Sequence, residues 1–353
     1  MAKLLMKGNE AIAEAAMRAG CTCFFGYPIT PQTEVAAYMA KNMQKIEDGV
    51  YLQAESEIAA INMVLGAAST GKRVMTSSSS PGVSLKTEGI SYIAGSDLPC
   101  VIINVQRGGP GLGGIQPSQA DYFQATRALG HGDFYVPVLA PNSIQETVDL
   151  IGDAFDIADN YLTPVMLLSD GVLGQMMEPV EIPAETSASV DKPWTTTGTE
   201  EKRNPNIVSS LELSPFNLEK KTLKRFERYK VLKSKEVRFE NYKCDDADIV
   251  LVAFGATSRI VKSVVDEARK AGYKVGLFRP ITLWPFPNDE INKLADTAKG
   301  FISIEMNMGQ MVEDVRLSVN GKKPVEFFGR TGGIIPEPTE ILDSIKAFAK
   351  EVL

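Results

Sequence analysis

Pro99-Cys100-Val101-Ile102-Ile103-Asn104-Val105-Gln106 is the clearest buried strand in the sequence, an almost unbroken apolar run that ends at a long Gly/Pro-rich loop over 107–118. Apolar residues at consecutive rather than alternating positions mark a strand covered on both faces, the habit of parallel sheets. Its neighbours repeat the pattern. Upstream, residues 9–19 read as a helix, with Asn9 in position to cap it and Gly20 to close it in the left-handed region. Strands at 21–26, 50–54 and 73–77 alternate with helices at about 33–43, from Glu57 to Gly71, and from Ser80-Pro81-Gly82, where a serine cap and a first-turn proline mark the start. Downstream come a helix at 119–129, a strand near 134–139, a helix at 143–160 and a strand at 165–168. Six short strands alternating with helices predict an α/β unit with a parallel sheet and helices on both faces.

Residues 180–246 break the rhythm with Glu185-Thr-Ser-Ala-Ser-Val190, Thr195-Thr-Thr-Gly198 and a charged helical stretch at about 216–240. A second alternation of strands and helices runs from Asp248 to the end. The expected division is therefore 1–180, a connector with a charged helix over 181–246, and a smaller α/β domain over 247–353.

Composition removes several functions. In 353 residues there are 37 Lys and Arg against 44 Asp and Glu, a net charge of −7, without the basic excess of a nucleic-acid or anionic-membrane binder. No apolar run approaches the roughly 18 residues of a membrane span, and no signal peptide fits before Asn9 and Glu10. The four cysteines, Cys21, Cys23, Cys100 and Cys244, form no C-x-x-C, so neither an iron–sulfur cluster nor a cysteine-rich zinc site is supported. Unpaired cysteines suit a reducing cytoplasm. The one histidine, His131, has no nucleophile elbow to serve. If the chain is an enzyme, a cofactor carries the difficult chemistry.

In open α/β sheets ligands bind beyond the carboxyl ends of the strands. Four polar or glycine-rich segments fall there: 26–31, 55–57, 76–82 and 107–116. The run Gly109-Pro-Gly-Leu-Gly-Gly114 matches G-x-G-x-x-G formally. It follows a late strand and opens into Ile115-Gln-Pro-Ser118 rather than a helix, so a loop closing over a ligand is the better reading than a dinucleotide site. Arg107 at its root can hold a carboxylate with its guanidinium fork, or form a surface ion pair. Glu57, at a helix start in an apolar stretch, can serve as a cap or as a buried functional carboxyl. Glu55 reads as a peripheral neighbour.

These residues carry a resemblance over nearly the whole chain. Gly26-Tyr-Pro-Ile-Thr-Pro31, the Glu-Ser-Glu run at 55–57 with its two alanines, Thr76-Ser-Ser-Ser-Ser-Pro-Gly82 and the Arg107 loop resemble the α subunits of 2-oxoacid:ferredoxin oxidoreductases. Gln175-Met-Met-Glu-Pro179 and Glu305-Met-Asn-Met-Gly-Gln-Met311 bring the branched-chain (2-oxoisovalerate) type nearest. The resemblance implies a pyrimidine-binding domain for thiamine diphosphate followed by a transketolase C-terminal-like domain. It implies that Glu57 is catalytic by binding N1′ of the aminopyrimidine, that Thr30 and Arg107 meet the substrate, and that Tyr27, Pro28, Ile29 and Ser79 contact the cofactor. The diphosphate motif G-D-G…N is missing: Gly132-Asp-Phe134 and Ser169-Asp-Gly171 both depart from it. The resemblance therefore assigns no metal to this chain. It places the diphosphate and Mg²⁺ on a β subunit, and iron–sulfur clusters on partners including a ferredoxin-like δ subunit, with a separate γ subunit and external ferredoxin and CoA. It also implies an isolated chain without turnover. A 2-oxoglutarate-type subunit and a non-catalytic scaffold subunit stay open as alternatives. The absence of Lys and Arg from 26–31 and 76–82 favours an apolar substrate.

Overall fold

The computed structural model describes residues 3–184 and 191–353; the part of the expected connector at 185–190 lies outside the described residues. The chain begins with β1 (Leu4–Lys7), α1 (Gly8–Arg18), β2 (Cys21–Gly26), α2 (Thr33–Asn42), β3 (Val50–Gln53), α3 (Glu57–Ser69), β4 (Arg73–Ser78), α4 (Ser80–Gly95) and β5 (Cys100–Gln106). It continues through α5 (Tyr122–Arg127), β6 (Val138–Leu139), α6 (Ile144–Tyr161), β7 (Pro164–Asp170), α7 (Gly171–Gln175) and β8 (Met177–Val180). After the connector come α8 (Pro215–Lys235), β9 (Phe239–Tyr242), β10 (Ile249–Val252), α9 (Gly255–Lys270), β11 (Val275–Pro280), β12 (Thr282–Trp284), α10 (Asn288–Thr297), β13 (Gly300–Glu305), α11 (Met311–Val319), β14 (Val325–Gly329) and α12 (Pro338–Val352). No described helix is long and apolar enough to cross a membrane.

The apolar run at 99–106 is a central strand. All of β5 is buried, and it pairs in parallel with β4 on one side and β7 on the other. The seven-stranded sheet has the order β12-β6-β7-β5-β4-β2-β3, and every neighbour pair except β12–β6 is parallel. The second sheet runs β14-β13-β10-β11-β9, parallel except for β9.

Two strands cross the expected divisions. β9 lies within 181–246 and completes the second sheet, so the charged helix ends at Lys235, short of 240. β12 follows β11 directly and pairs antiparallel with β6, so residues beyond 247 also extend the first sheet. Across the seam Tyr135 stacks on Trp284, with ring centroids 4.6 Å apart, and polar groups satisfy one another. Wholly buried Gln119 donates to Phe254 O at 2.8 Å and accepts from Thr257 Oγ1 at 2.8 Å and Met306 N at 3.1 Å. Buried Arg279 forks onto Glu146 at 2.7 and 2.8 Å and reaches Glu240 at 2.9 Å. Glu305, from the second of the quoted family-type runs, is spent as a buried carboxyl at the start of α11, accepting from Met311 N at 2.8 Å and Val312 N at 2.9 Å.

Two expected caps are used otherwise. Asn9 lies inside α1, whose N-cap position is Lys7; its amide donates to Pro31 O at 2.7 Å and Glu34 Oε2 at 2.9 Å, tying down the loop after β2. Ser80 is the first residue of α4 rather than its cap, and its hydroxyl turns to Asp121 Oδ2 at 2.6 Å. The helix read at 119–129 contracts to α5, and the strand near 134–139 to β6, because the intervening glycines at 130 and 132 take positive φ.

Helices α3 and α4 approach closely through α4's glycines. A Cβ on Gly89 would stand 2.4 Å from Ile61 Cγ2. Gly89→Ala gains about 1 kcal/mol of helix propensity but meets an overpacking cost of about 1–3 kcal/mol, so a net loss of about 1 kcal/mol is expected. Gly66 on α3 has nothing within 4 Å of its built Cβ; Gly66→Ala is expected to stabilise by about 0.5–1 kcal/mol. Denaturant midpoints of the two variants moving in the same direction would refute this account of the contact.

Candidate functional site

The carboxyl ends of β2, β3, β4 and β5 lie side by side in the first sheet, and the four segments singled out in the sequence leave from them. Glu57 is the first residue of α3, following Ser56, whose hydroxyl caps the helix by accepting from Ala59 N at 3.1 Å. With the serine as cap, the glutamate is released from capping by its side chain. It is 6% exposed. Its carboxylate lies against the first turn of α4, where a Cβ on Gly82 would fall 2.7 Å from Glu57 Oε1 and 2.2 Å from Ser78 Oγ. Only a glycine lets the two side chains pack this closely against α4. Ser78 and Ser79 close β4 beside it, and both hydroxyls are buried without a hydrogen-bond partner. A buried polar atom without a partner costs about 1–3 kcal/mol, so two adjacent ones mark a place where polar ligand atoms are accommodated.

One turn beyond Gly82, about 6 Å along the helix, Lys86 is fully buried and donates to Thr76 Oγ1 at 2.7 Å. Burial pulls its pKa down to about 8, against the opposing pull of the charges of Glu57 and Cys100. Cys100 is itself pushed up to about 12 by burial.

Arg107 follows the last residue of β5 and is buried. Its Nη1 donates to Thr30 O at 2.9 Å and its Nη2 to Leu112 O at 3.1 Å, while Nε is buried without a partner. Among the described residues it makes no ion pair: the surface-pair reading of the sequence does not apply, and the cation is met by neutral carbonyls. Behind it, Arg107 N donates to Ser80 Oγ at 3.0 Å, and Asp121 accepts from Ser80 and from Asn104 Nδ2 at 2.9 Å. Burial raises the Asp121 pKa, opposed by those two hydrogen bonds and by the charge of Arg107. The loop beyond is closed at its root by Gly108 N to Gln116 O at 2.9 Å, leaving Leu112 and Ile115 at its tip 84% and 58% exposed.

Thr30, Tyr27 and Pro28 are exposed on the loop after β2, and Ile29 is half-buried. The loop is fixed from below. Gln32, wholly buried, donates to Tyr27 O at 3.2 Å and accepts from Ser77 Oγ at 2.5 Å. Gln175, from the other quoted run, reaches Pro31 O at 3.3 Å and Glu34 Oε1 at 3.0 Å. Thus Glu57, Thr30, Arg107, Tyr27, Pro28, Ile29 and Ser79 fall on one rim. Glu55 is exposed at its edge, and His131 is exposed against Tyr92 near the far end of α4. Asp170 of Ser169-Asp-Gly171 is occupied in capping α7, accepting from Val172 N at 2.8 Å and Leu173 N at 3.1 Å; burial raises its pKa to about 6.

Ser78, Gln32 and Asn104 join the site without having been assigned to it from the sequence; Lys86 and Asp121, which the sequence offers with His131 as site-lining residues without a position, lie there too, whereas His131 does not. Lys86 carried a signal: it interrupts the apolar stripe Val83, Ile90, Ile93 at helical spacing, a place where a lysine must be buried.

Comparison with known proteins finds relatives over nearly the whole chain. Residues 14–231 match the family model described as pyruvate flavodoxin/ferredoxin oxidoreductase, thiamine diphosphate-binding, and residues 247–341 match pyruvate:ferredoxin oxidoreductase core domain II. The chain is 49% identical to the ketoisovalerate oxidoreductase subunit VorB of Methanothermobacter marburgensis, covering 99% of both chains. It is 36% identical to the 2-oxoglutarate synthase subunit KorA of the same organism, over 96% of this chain and 97% of that one. Among solved structures it is similar to the 2-oxoglutarate:ferredoxin oxidoreductase from Magnetococcus marinus with 2-oxoglutarate, coenzyme A and succinyl-CoA bound, with a TM-score of 0.86 and 29% identity over 98% of this chain. It spans 65% of that chain's length. A split-gene transketolase in an inactive β4 tetramer, 12% identical with a TM-score of 0.62 over 99% of both chains, shares the fold.

Proposed function

Since the chain belongs to the 2-oxoacid:ferredoxin oxidoreductase family, we propose that it is the α subunit of a thiamine-diphosphate-dependent enzyme that converts a branched-chain 2-oxoacid and CoA to acyl-CoA and carbon dioxide, with the electrons passed to ferredoxin. The observation that carries this reading is the buried Glu57 carboxyl packed against Gly82 at the start of α4, beside the unpartnered hydroxyls of Ser78 and Ser79. A buried carboxyl beside two buried hydroxyls without partners suits the ring nitrogen and amino group of the aminopyrimidine of thiamine.

When bound, thiamine diphosphate supplies the thiazolium carbon that adds to the 2-oxo group and takes up the electron pair left as carbon dioxide departs. The chain's own work is binding and proton placement. Glu57 holds N1′ of the ring and keeps a proton at that atom. The backbone and side chains of Tyr27, Pro28 and Ile29, with the Ser79 hydroxyl, form the walls of the ring site. Arg107 exchanges its carbonyl partners for the substrate carboxylate, a stronger charge-assisted contact, and Thr30 hydrogen-bonds the oxo or carboxyl group. Leu112 and Ile115, exposed on the loop that Arg107 anchors, provide an apolar cover that excludes water and suits a branched aliphatic side chain better than a second carboxylate.

In this proposal residues 1–180, with β12 added to their sheet, form the pyrimidine domain, β9 and the rest of 247–353 the transketolase C-terminal-like domain, and the remainder of 181–246 the connector. A β subunit brings the diphosphate site and Mg²⁺, and γ and ferredoxin-like δ subunits the iron–sulfur path, in the cytoplasm. The test is the complex co-expressed with those partners, assayed with a panel of 2-oxoacids, CoA and a low-potential dye. Branched-chain acids are expected to give the highest kcat/KM, and the chain alone no turnover. A complex that binds no thiamine diphosphate, or that turns over 2-oxoglutarate best, would overturn the corresponding part of the proposal.

A further inference from the structure

Among the described residues Lys86 is the only buried lysine, and the proposed reaction leaves it without a task. Burying an ammonium costs several kcal/mol unless charge and hydrogen bonds compensate. Lys86 has one hydrogen bond, to the neutral Thr76 Oγ1 at 2.7 Å, and no ion-pair contact. A neutral residue would fill this position in the stripe of Val83, Ile90 and Ile93 without that cost. The groups whose charge acts on it are Glu57, from α3, and Cys100, from β5. Burial keeps the Cys100 thiol protonated, so Glu57 is the anion that Lys86 answers. Both meet the first turns of α4 on one face, Glu57 at Gly82 and Lys86 one turn on.

We infer that Lys86 is a positioning residue that acts on the cofactor's pyrimidine through Glu57: its ammonium, held by Thr76, is the buried counter-charge that directs the Glu57 carboxyl at the ring site. The inference rests on the assignment of Glu57 proposed above. It gives the buried lysine a reason to be charged, and the glutamate a counter-charge that does not occupy its hydrogen-bonding oxygens.

The first test needs only the full-length chain. With the lysine side chains isotopically labelled, the Lys86 resonance is expected to titrate near pH 8. Since the Glu57 charge raises that midpoint, Glu57→Gln should lower it. A midpoint unmoved by Glu57→Gln overturns the coupling. The second test uses the assembled complex and reads thiamine diphosphate affinity against pH. Affinity should fall as Lys86 loses its proton above pH 8, by at most about the hundredfold that two charges about 6 Å apart at an effective dielectric near 20 allow. Lys86→Met should show the weaker value already at pH 7, with no step. Lys86→Arg, permanently charged, should keep the tighter value through the same range. A step and affinity unchanged in Lys86→Met overturn the inference. Where Glu57→Gln leaves both affinity and turnover intact, it is the assignment of Glu57 that fails. Where Glu57→Gln is damaging and Lys86→Met is silent, Lys86 alone is excluded. If a lysine variant does not assemble, the titration of the chain decides.

Discussion

Glu57→Gln in the assembled enzyme is expected to lower turnover by about 100- to 10,000-fold, the range for losing a positioned acid–base group. Glutamine preserves the size of the side chain beneath Gly82 but cannot exchange a proton with a ring nitrogen. The loss should appear in kcat and in hydrogen exchange at the cofactor's reactive carbon, with KM for the 2-oxoacid changed little, because Glu57 does not touch that substrate. Glu57→Asp keeps the charge on a side chain one methylene shorter and should fall between the two, which separates the chemical role from any effect on folding. Turnover and exchange within twofold of wild type in Glu57→Gln would remove the residue from the mechanism.

Arg107→Ala is the second large effect. Its guanidinium is buried, unpaired with any carboxylate among the described residues, and held by the carbonyls of Thr30 and Leu112. A charge-assisted contact to a substrate carboxylate contributes about 1.5–3 kcal/mol, so kcat/KM for the 2-oxoacid should drop about ten- to hundredfold, chiefly through KM, while KM for CoA stays put. Arg107→Lys retains the charge but loses the planar fork and should recover only part of the loss. The same KM for the oxoacid in Arg107→Ala would mean that the cation serves the loop instead of the ligand.

The parts of this molecule written in local pattern were readable in advance. The apolar run at 99–106 identifies a doubly covered strand because burial on both faces leaves little choice of residue type, and β5 is central. Four strands of three or four residues, each tied to a distant partner, escaped: β1 and β8, which pair with each other, and β9 and β12. The pairing of β9 with β11 and of β12 with β6 is decided by tertiary geometry that no short window contains. Asn9 shows the same limit from another side: its type suits a helix start, but the nearby Pro31 carbonyl and Glu34 carboxylate offer it better partners. At the site, the residues projecting from strand ends were legible as loops rich in glycine, serine and proline. The supporting Gln32 and Asn104 were not, since an amide looks the same whether it faces water or a buried neighbour.

The antiparallel contact of β12 with β6 sets how this polypeptide can be dissected. A gene cut after residue 246 would strip the larger half of its outermost ribbon and bare the rim at Val138–Leu139, and it would carry β9 away from the smaller half. Neither fragment would be a finished body, and recombining them would have to restore two severed ladders at once. Evolutionary shuffling of such an enzyme is accordingly easier at the ends of this chain than within it.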